Sequence, residues 1–262
     1  MSDTAIVSNG VSADPDSALH IRDVRVRPNT PPLDDSIARG GIVGVAGLDG
    51  HGQEEFLEVL CGLRRPVSGQ VLVNTRRGLI AVRSLKGAAR AGIAYLPRDR
   101  KSEGILPSMS VLDNFSIAIL DRESRLGFLR RRQLRDRYAT FRDRLSIVAR
   151  SGSAPITNLS GGNQQKVLLA RWMATDPSVM VLNDPTRGVD LATRLSIHGT
   201  LRELARAGTG IVLLSTEVEE LQLLCNRVLV FREGSVFAEI SGNDLSMSSI
   251  VGAMFGKENG SD

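Results

Sequence analysis

The segment "GIVGVAGLDGHGQEEFLEVL", residues 41–60, decides the fold that this chain adopts. Its first part, residues 41–47, is a short continuous apolar run, which predicts a fully buried β-strand. Residues 53–63 carry apolar side chains at helical spacing, so a helix is expected there. A glycine-rich turn between a buried strand and a helix is a backbone arrangement that binds phosphate, because its N–H groups converge and the helix start adds positive potential.

The turn keeps the backbone part of such a loop and lacks its side-chain part. The pattern GxxxxGK[ST] uses a lysine to bridge the β- and γ-phosphates and a hydroxyl to hold magnesium. Gln53 stands at the lysine position and offers only a dipole, and Glu54 at the hydroxyl position would direct a carboxylate towards an anion. Taken alone, the turn is either a structural feature or a nucleotide loop that has lost its chemistry. Its candidate residues are Gly47, Gly50, His51, Gly52, Gln53 and Glu54.

The composition limits the classes of protein to which the chain can belong. With 262 residues, 42% of them hydrophobic, it has enough apolar side chains for one domain or for a domain with a subdomain. Two cysteines are too few for a disulfide framework and are expected to be reduced thiols. No apolar run approaches the roughly 20 residues that a membrane helix requires. Residues 1–17 are expected to be a flexible tail rather than a signal peptide.

The formal net charge is +4, and arginines are concentrated between residues 122 and 150. Such a run is compatible with nucleic-acid binding, or with the solvated face of a helix on which Asp and Glu are interspersed. Aromatic residues make up only 4% of the chain, so no stacking platform for single strands is expected. The solvated face is the preferred interpretation, and no nucleic-acid partner is expected.

Strand-like and helix-like segments alternate along most of the chain. This alternation predicts a largely parallel sheet covered by helices on both faces. The interval 110–150 is helical in pattern with no strand of any length, which predicts an inserted helical subdomain. The predicted strands are 18–26, 41–47, 69–74, 179–182, 210–215 and 227–232, and the predicted helices include 53–63, 84–92, 191–207 and 217–225.

A second motif is more specific than the first. In "NLSGGNQQKVLLARWM", residues 158–173, the part 159–166 resembles the signature of ATP-binding cassette (ABC) ATPases. The segment "VMVLNDPTRGVD", residues 179–190, falls where that family keeps its Walker B strand and D-loop. The resemblance covers about residues 18–257. The strings "PTRGVD", "GGNQQKV", "RDRKSEGIL" and "VGAMFGK" narrow it to the second of two ATPase halves in monosaccharide importers of the ribose, galactose and xylose type.

This resemblance implies a fold class and a division of the chain. The fold class is α/β, an ABC-type P-loop ATPase domain with a mostly parallel sheet flanked by helices, an antiparallel N-terminal β part and an inserted α-helical subdomain. The expected parts are a tail (1–17), a first core part with the Walker A-like loop (18–97), a Q-loop-like segment with the helical subdomain (98–157), a second core part with the signature, Walker B-like strand and D-loop (158–240), and a C-terminal helix and tail (241–262).

In the family, two ATPase domains face each other, and each ATP lies between the Walker loops of one domain and the signature of the other. The Walker half of this chain departs from the family pattern beyond its two loop substitutions. Asn183 replaces the aspartate of the magnesium shell, and Asp184 replaces the catalytic glutamate with a side chain one methylene shorter. Thr216 replaces the switch histidine, and Arg98 replaces the Q-loop glutamine. No aromatic residue precedes Phe56, so the chain lacks the side chain that stacks on adenine in the family.

The signature half keeps the family residue types, namely Leu159, Ser160, Gly161, Gly162, Asn163, Gln164 and the D-loop Asp190. The expected function is therefore a sugar-importer ATPase subunit that donates its signature to a competent partner and has little or no ATPase activity alone. ATP and magnesium are expected mainly in the partner's site, and no metal ligands are assigned here. The alternative is a non-catalytic regulator or scaffold of a soluble ATPase.

The resemblance also implies partners and a location. The expected partners are a second ATPase subunit or half, membrane permease subunits and, indirectly, a periplasmic or extracellular sugar-binding protein. The expected location is peripheral, on the cytoplasmic side of the cell membrane. Whether the chain is a separate subunit or one half of a longer protein is left open, as is the identity of the sugar.

Overall fold

The apolar run at residues 41–47 forms a buried strand in a six-stranded sheet, as predicted. The structure is a computed structural model that describes residues 14–121, 123–125 and 128–257. Most of the predicted tail, residues 1–13, lies outside the described residues, as do residues 258–262. The five-part division of the chain stays a prediction.

The chain forms two compact units. The sheet unit contains the residues up to Tyr95, the segment Ser178–Asp184 and the residues from Arg202 onward. The helical unit contains Leu96–Pro177 and Pro185–Leu201.

The main sheet is mostly parallel because the helices between its strands return the chain to the same end of the sheet before each new strand begins. Its strands are β3 (Ile42–Gly47), β6 (Ile93–Leu96), β9 (Val179–Asn183), β10 (Gly210–Leu214), β11 (Arg227–Arg232) and β12 (Ser235–Ser241). The order is β12-β11-β3-β10-β9-β6. Strand β3 pairs in parallel with β10 and β11, whereas β12 is antiparallel to β11. The predicted α/β fold with a largely parallel sheet is confirmed.

A second sheet is antiparallel and has the order β2-β1-β4-β5. This arrangement confirms the antiparallel N-terminal β part. The sequence pattern predicted β1 and β4 but not β2 and β5, which have only six and four residues. The ranges are β1 (Ser17–Arg25), β2 (Leu33–Ala38), β4 (Ser68–Thr75) and β5 (Gly78–Ala81).

Helices pack against the main sheet through their apolar faces. The ring of Phe56 lies 5.0 Å from that of Phe231 in the core, measured between ring centroids. The first helix ends at Leu60 rather than at residue 63 as predicted, and Leu63 lies outside it and is 49% exposed. The helices are α1 (Gln53–Leu60), α2 (Leu85–Ala91), α6 (Leu191–Arg206), α7 (Val218–Leu224) and α8 (Met247–Met254).

The helical unit contains α3 (Val111–Ser116), α4 (Arg131–Arg144) and α5 (Gly161–Met173). The expectation of no strand in this interval was wrong, because two-residue strands β7 (Ser124–Arg125) and β8 (Phe128–Leu129) pair there. Helix α4 buries Leu134 and Tyr138 and exposes most of its arginines, as a solvated face requires. None of the helices in the described ranges has both the length and the hydrophobicity needed to cross a bilayer.

A buried arginine ties the helical unit together. The guanidinium of Arg171, only 6% exposed, donates to the backbone carbonyls of Asn114 (2.6 Å) and Gly104 (2.7 Å) and to Asn114 Oδ1 (3.0 Å). Burial lowers the pKa of Arg171 to about 10, so the group stays protonated at neutral pH. Asn114 in turn bonds both the N–H and the C=O of Leu106. Arg171 therefore links its own helix to the segments that contain Gly104 and Asn114.

We expect Arg171→Met to lower the free energy of unfolding by about 2–5 kcal/mol, because it leaves buried carbonyl oxygens without donors at about 1–3 kcal/mol each. Urea denaturation followed by circular dichroism measures the change. The matched control is Arg135→Ala on α4, an exposed arginine whose loss should change stability by less than about 0.5 kcal/mol. Equal denaturation midpoints for wild type and Arg171→Met would contradict this role.

Candidate functional site

The glycine-rich turn has the backbone shape of a phosphate loop. Gly52 precedes α1 with φ of 101°, a left-handed conformation that favours glycine. A Cβ at Gly52 would lie 2.8 Å from the Cα of Gly234, so the neighbouring turn also requires glycine there. The His51 carbonyl accepts a hydrogen bond from the Gly234 amide at 2.8 Å. The loop is thus held to the β11–β12 turn through its backbone.

The side chain of Gln53 is turned back onto the loop. Its Nε2 donates to the carbonyl oxygens of Leu48 at 2.9 Å and Gly47 at 3.4 Å, and the residue is only 6% exposed. Both amide protons are therefore used by the loop itself. The adjacent Glu54 lies half-buried in the first turn of α1.

A guanidinium that the sequence patterns did not indicate contacts the same loop. Arg27 Nη2 donates to the Gly50 carbonyl oxygen at 2.7 Å, and Nη2 and Nε donate to both carboxylate oxygens of Glu55 at 2.7 and 2.9 Å. The hydrogen bonds from Arg27 lower the pKa of Glu55. Because the partners are 28 residues apart, no local sequence pattern predicts this bidentate pair.

The residues predicted at the positions of the catalytic glutamate and the switch histidine are bonded to each other. Asp184 Oδ1 accepts from the backbone N–H of Thr216 at 2.7 Å and from its hydroxyl at 3.0 Å. Asp184 is 3% exposed and has φ of 48°, a left-handed conformation that Asp tolerates better than most residues. Asn183 ends β9 and is 6% exposed. The carboxylate thus holds the loop after β10 in place.

These residues do not fit a magnesium triphosphate in the sheet unit. Residues 47–54 contain no lysine or arginine, and the Gln53 amide is occupied by loop carbonyls. The magnesium-side position holds the neutral Asn183, and one oxygen of Asp184 already accepts two hydrogen bonds. Over the part of the chain that the structure describes, no group of three His, Cys, Asp or Glu side chains could hold a metal ion.

The signature residues lie together in the helical unit, at the start of α5. Ser160 is exposed and caps the helix, with its oxygen accepting from the Asn163 amide at 3.4 Å and from Asn163 Nδ2 at 3.0 Å. Asn163 Oδ1 accepts from the Val148 amide at 2.7 Å. The first turn of α5 contains no acidic residue, so its N–H groups and the helix dipole favour an anion.

The other signature residues support this helix start. Gln164 Nε2 donates to the carbonyl of Leu159 at 3.2 Å, which fixes the chain that enters the helix. A Cβ at Gly162 would lie 2.7 Å from the hydroxyl oxygen of Thr193, so a larger residue there would displace the Thr193 side chain. Asp190 accepts from the amide and the hydroxyl of Thr193 at 2.9 and 2.8 Å and so begins α6.

Hydrogen bonds from Thr193, the backbone amide first, lower the pKa of Asp190, which therefore stays ionised at neutral pH. Arg98, predicted from the Q-loop position, also lies in the helical unit and lines a pocket there. The predicted site residues are therefore divided between the two units. The Walker-like residues lie in the sheet unit, and the signature, Arg98 and Asp190 lie in the helical unit.

A parallel sheet with a glycine loop after one strand, and a separate LSGG helix start, define the class of P-loop nucleotide-binding cassettes. The ABC transporter family matches residues 32–187, and the chain belongs to this family. Members of the family bind ATP with magnesium.

Among curated proteins, the chain is 42% identical over 219 residues to the ribose import ATP-binding protein RbsA 1 of Rhizobium johnstonii. The aligned region covers 83% of this chain and 42% of that protein. It is 40% identical over 212 residues to RbsA 2 of Rhizobium meliloti, covering 81% of this chain and 41% of that protein. The chain therefore spans less than half the length of these relatives.

The fold matches solved cassettes at low identity. A dimeric ATP-binding cassette in a post-hydrolysis state, bound to ADP and Pi, aligns with a TM-score of 0.72 at 19% identity, covering 85% of this chain and 98% of that chain. The cassette MJ1267 aligns with a TM-score of 0.73 at 18% identity, covering 92% and 96%. These matches establish the ABC fold.

The contact between Asp184 and Thr216 predicts a stability difference. We expect Asp184→Ala to lower the free energy of unfolding by about 1.5–3 kcal/mol more than Asp176→Ala does, because it removes hydrogen bonds to a charged group. Asp176 has the same φ of 48° but is exposed, so this control matches the backbone strain. Denaturant unfolding of both variants gives the comparison. Equal losses would show that only the backbone conformation matters.

Proposed function

We propose that this chain is an ATPase subunit or half of a monosaccharide ABC importer that donates its signature to a competent partner site. The observation that carries the proposal is the contrast between Gln53 and Ser160. The Gln53 amide is bonded to its own loop, whereas Ser160 is exposed at a helix start that favours anions. The ribose-import names of the relatives support the substrate class.

The sheet unit's own nucleotide site is proposed to be non-hydrolytic. A phosphate loop normally supplies a cation to the β- and γ-phosphates, and Gln53 cannot supply one. Asp184, at the position of the catalytic glutamate, is engaged by Thr216 and is assigned a structural role. Each charge-assisted contact that is lost weakens binding by about 1.5–3 kcal/mol. The chain alone is therefore expected to bind MgATP weakly.

The helical unit is proposed to act on a nucleotide that the partner holds. When bound there, ATP with magnesium would supply the phosphoryl group that is hydrolysed. Residues of this chain would orient and stabilise it through the Ser160 hydroxyl and the first N–H groups of α5. Asp190 fixes the start of α6 in the same unit. The degenerate second-half assignment made from the sequence is retained in this proposal.

The proposed partners follow from the family. They are a second ATPase cassette with an intact loop lysine, membrane permease subunits, and a sugar-binding protein that reaches the permease from the other side. The proposed location is the cytoplasmic face of the membrane, held there by the permease. Closure of the two cassettes would switch the permease between its two orientations.

We expect the isolated chain to show negligible ATP hydrolysis and the assembly with its partner to hydrolyse ATP. Ser160→Arg should abolish turnover of the assembly, because a large cation fills the helix start. The control Ser108→Arg places the same group at another exposed serine of the helical unit and should leave turnover near the wild-type rate. A phosphate-release assay measures both. Brisk turnover by the isolated chain, or full activity of Ser160→Arg, would contradict the proposal.

Restoring the loop side chains provides an independent test. The double variant Gln53→Lys with Glu54→Ser should bind MgATP at least about tenfold more tightly than the wild-type chain, since it regains a cation and loses a carboxylate. Fluorescence titration with a labelled ATP analogue in the presence of magnesium reports the affinity. A wild-type chain that already binds as tightly as the double variant would remove the basis for calling this site degenerate.

A further inference from the structure

A basic pocket of about 300 Å³ lies within the helical unit. Its lining combines four cationic side chains with a single carboxylate. We call it the arginine pocket, and it is defined by Arg98, Asp99, Arg100, Lys101, Arg187 and Gly188. Because a water molecule occupies about 30 Å³ in the liquid, the pocket has room for a phosphate group. Nothing in the proposed role of the signature uses these side chains.

The pocket is built by an unusual turn of the chain. Residues Arg100–Gly104 form a single π-helical turn, closed by a 2.7 Å hydrogen bond from the Ile105 amide to the Arg100 carbonyl. Asp99 caps the turn, and its Oδ1 accepts from the amides of Lys101 and Ser102 at 2.8 and 3.3 Å. Single π-helical turns occur frequently at functional sites. One oxygen of the pocket's carboxylate is thus bonded to the backbone.

Arg100 is placed against the signature. Its Nη1 donates to the Arg187 carbonyl at 3.1 Å, which fixes the guanidinium across the pocket. A Cβ at Gly161 would collide with Nη2 of Arg100, and a Cβ at Gly188 would lie 3.8 Å from Nη1. The guanidinium therefore lies directly on the glycine that begins α5.

Three cations of the pocket, Arg100, Lys101 and Arg187, form no close ion pair among the described residues, although Asp99 interacts electrostatically with Arg187 at longer range. The buried Nε of Arg100 has no acceptor in that part of the chain. Collecting several cations around one carboxylate is unfavourable because the cations repel one another, and the half-buried Arg100 also loses hydration. An anion in the pocket would relieve both costs.

We propose that the arginine pocket binds a phosphate oxyanion, with Arg100, Lys101 and Arg187 as its cationic groups. The planar fork of an arginine suits the paired oxygens of a phosphate group, and charge-assisted bonds of this kind are the strong ones. The position beside Gly161 identifies the source of that phosphate as the nucleotide held by the partner cassette, and this step rests on the proposed function. The pocket adds side-chain cations to the backbone donors of the signature.

The first experiment titrates the isolated chain with tripolyphosphate, which carries the phosphate chain without base or metal. We expect saturable, salt-sensitive binding in calorimetry, with shifts of the Arg100 side-chain Nε–H resonance in ¹⁵N spectra. Arg100→Ala should weaken binding at least about tenfold, since it removes a charge-assisted contact. The matched control Arg135→Ala, an exposed arginine of the same unit, should bind as the wild type does.

Three outcomes of this titration overturn the proposal. They are no binding at millimolar tripolyphosphate, equal affinity of Arg100→Ala and wild type, or shifts confined to the amides of residues 50–54. Binding that is lost equally in Arg135→Ala would indicate diffuse attraction to the basic surface and would also overturn it.

The second experiment identifies the source of the phosphate in the assembly with the competent cassette. Arg100→Ala should raise the KM for MgATP several-fold while Arg100→Lys restores part of the loss, and inorganic phosphate should inhibit the wild type more than Arg100→Ala. An unchanged KM would overturn the nucleotide assignment. The outcome is separable from the proposed function, because failure of signature donation would show in Ser160→Arg while leaving the tripolyphosphate titration unaffected.

Discussion

Two hydrogen bonds from Gln53 Nε2 to the carbonyl oxygens of Leu48 and Gly47 determine how the phosphate-type loop is arranged. They hold the Gln53 side chain against the loop itself. In a competent loop the residue at this position extends a cation outwards. Here the side chain completes the loop from within and is almost fully buried. Arg27 reinforces the arrangement by bonding the Gly50 carbonyl while it pairs with Glu55. In this loop, the carbonyl oxygens of Gly47 and Gly50 accept hydrogen bonds from side chains of the protein.

After β9, too, hydrogen bonds within the protein take the place of contacts to a ligand. Asp184 places a carboxyl group at this position, but its Oδ1 accepts hydrogen bonds from the amide and hydroxyl of Thr216. Two motifs that cooperate in a hydrolysing cassette have thus become a fixed contact within the sheet unit. The helical unit has the opposite character, since Ser160 is exposed and, among the described residues, Arg100, Lys101 and Arg187 have no carboxylate within ion-pair distance. The proposed binding sites therefore lie where polar side chains are exposed or lack close partners.

The sequence predicted the elements whose pattern is local and strong. Strand β3, the loop and the start of α5 were found because apolar runs, glycines and the LSGG string lie within a few residues of one another. Strands β2 and β12 were missed because they are half-exposed and short on apolar alternation. The Arg27–Glu55 pair joins residues 28 positions apart, so the fold alone brings them together.

The sequence predicted which residues form the candidate site, but not the direction in which their side chains point. The sequence shows a glutamine at position 53, but only the structure shows that its amide is turned inwards. In the sequence, Arg100 appeared only within the string "RDRKSEGIL", and no pattern indicated that it lies beside the signature. The contact of Arg100 with Gly161 joins residues far apart in the sequence, so it depends on how the chain between residues 100 and 161 folds and packs.

The π-helical turn Arg100–Gly104 makes the register of this segment as important as its composition. A π turn accommodates one residue more than an α-helical turn. Deleting a single residue between 101 and 104 would convert the turn to an ordinary helical one and rotate the side chain before the turn by about 100° relative to the residues after it. Every arginine would still be encoded, yet the guanidinium would no longer lie on Gly161. Homologues that differ by one residue in this stretch should therefore differ in their anion chemistry, even where their charges are identical.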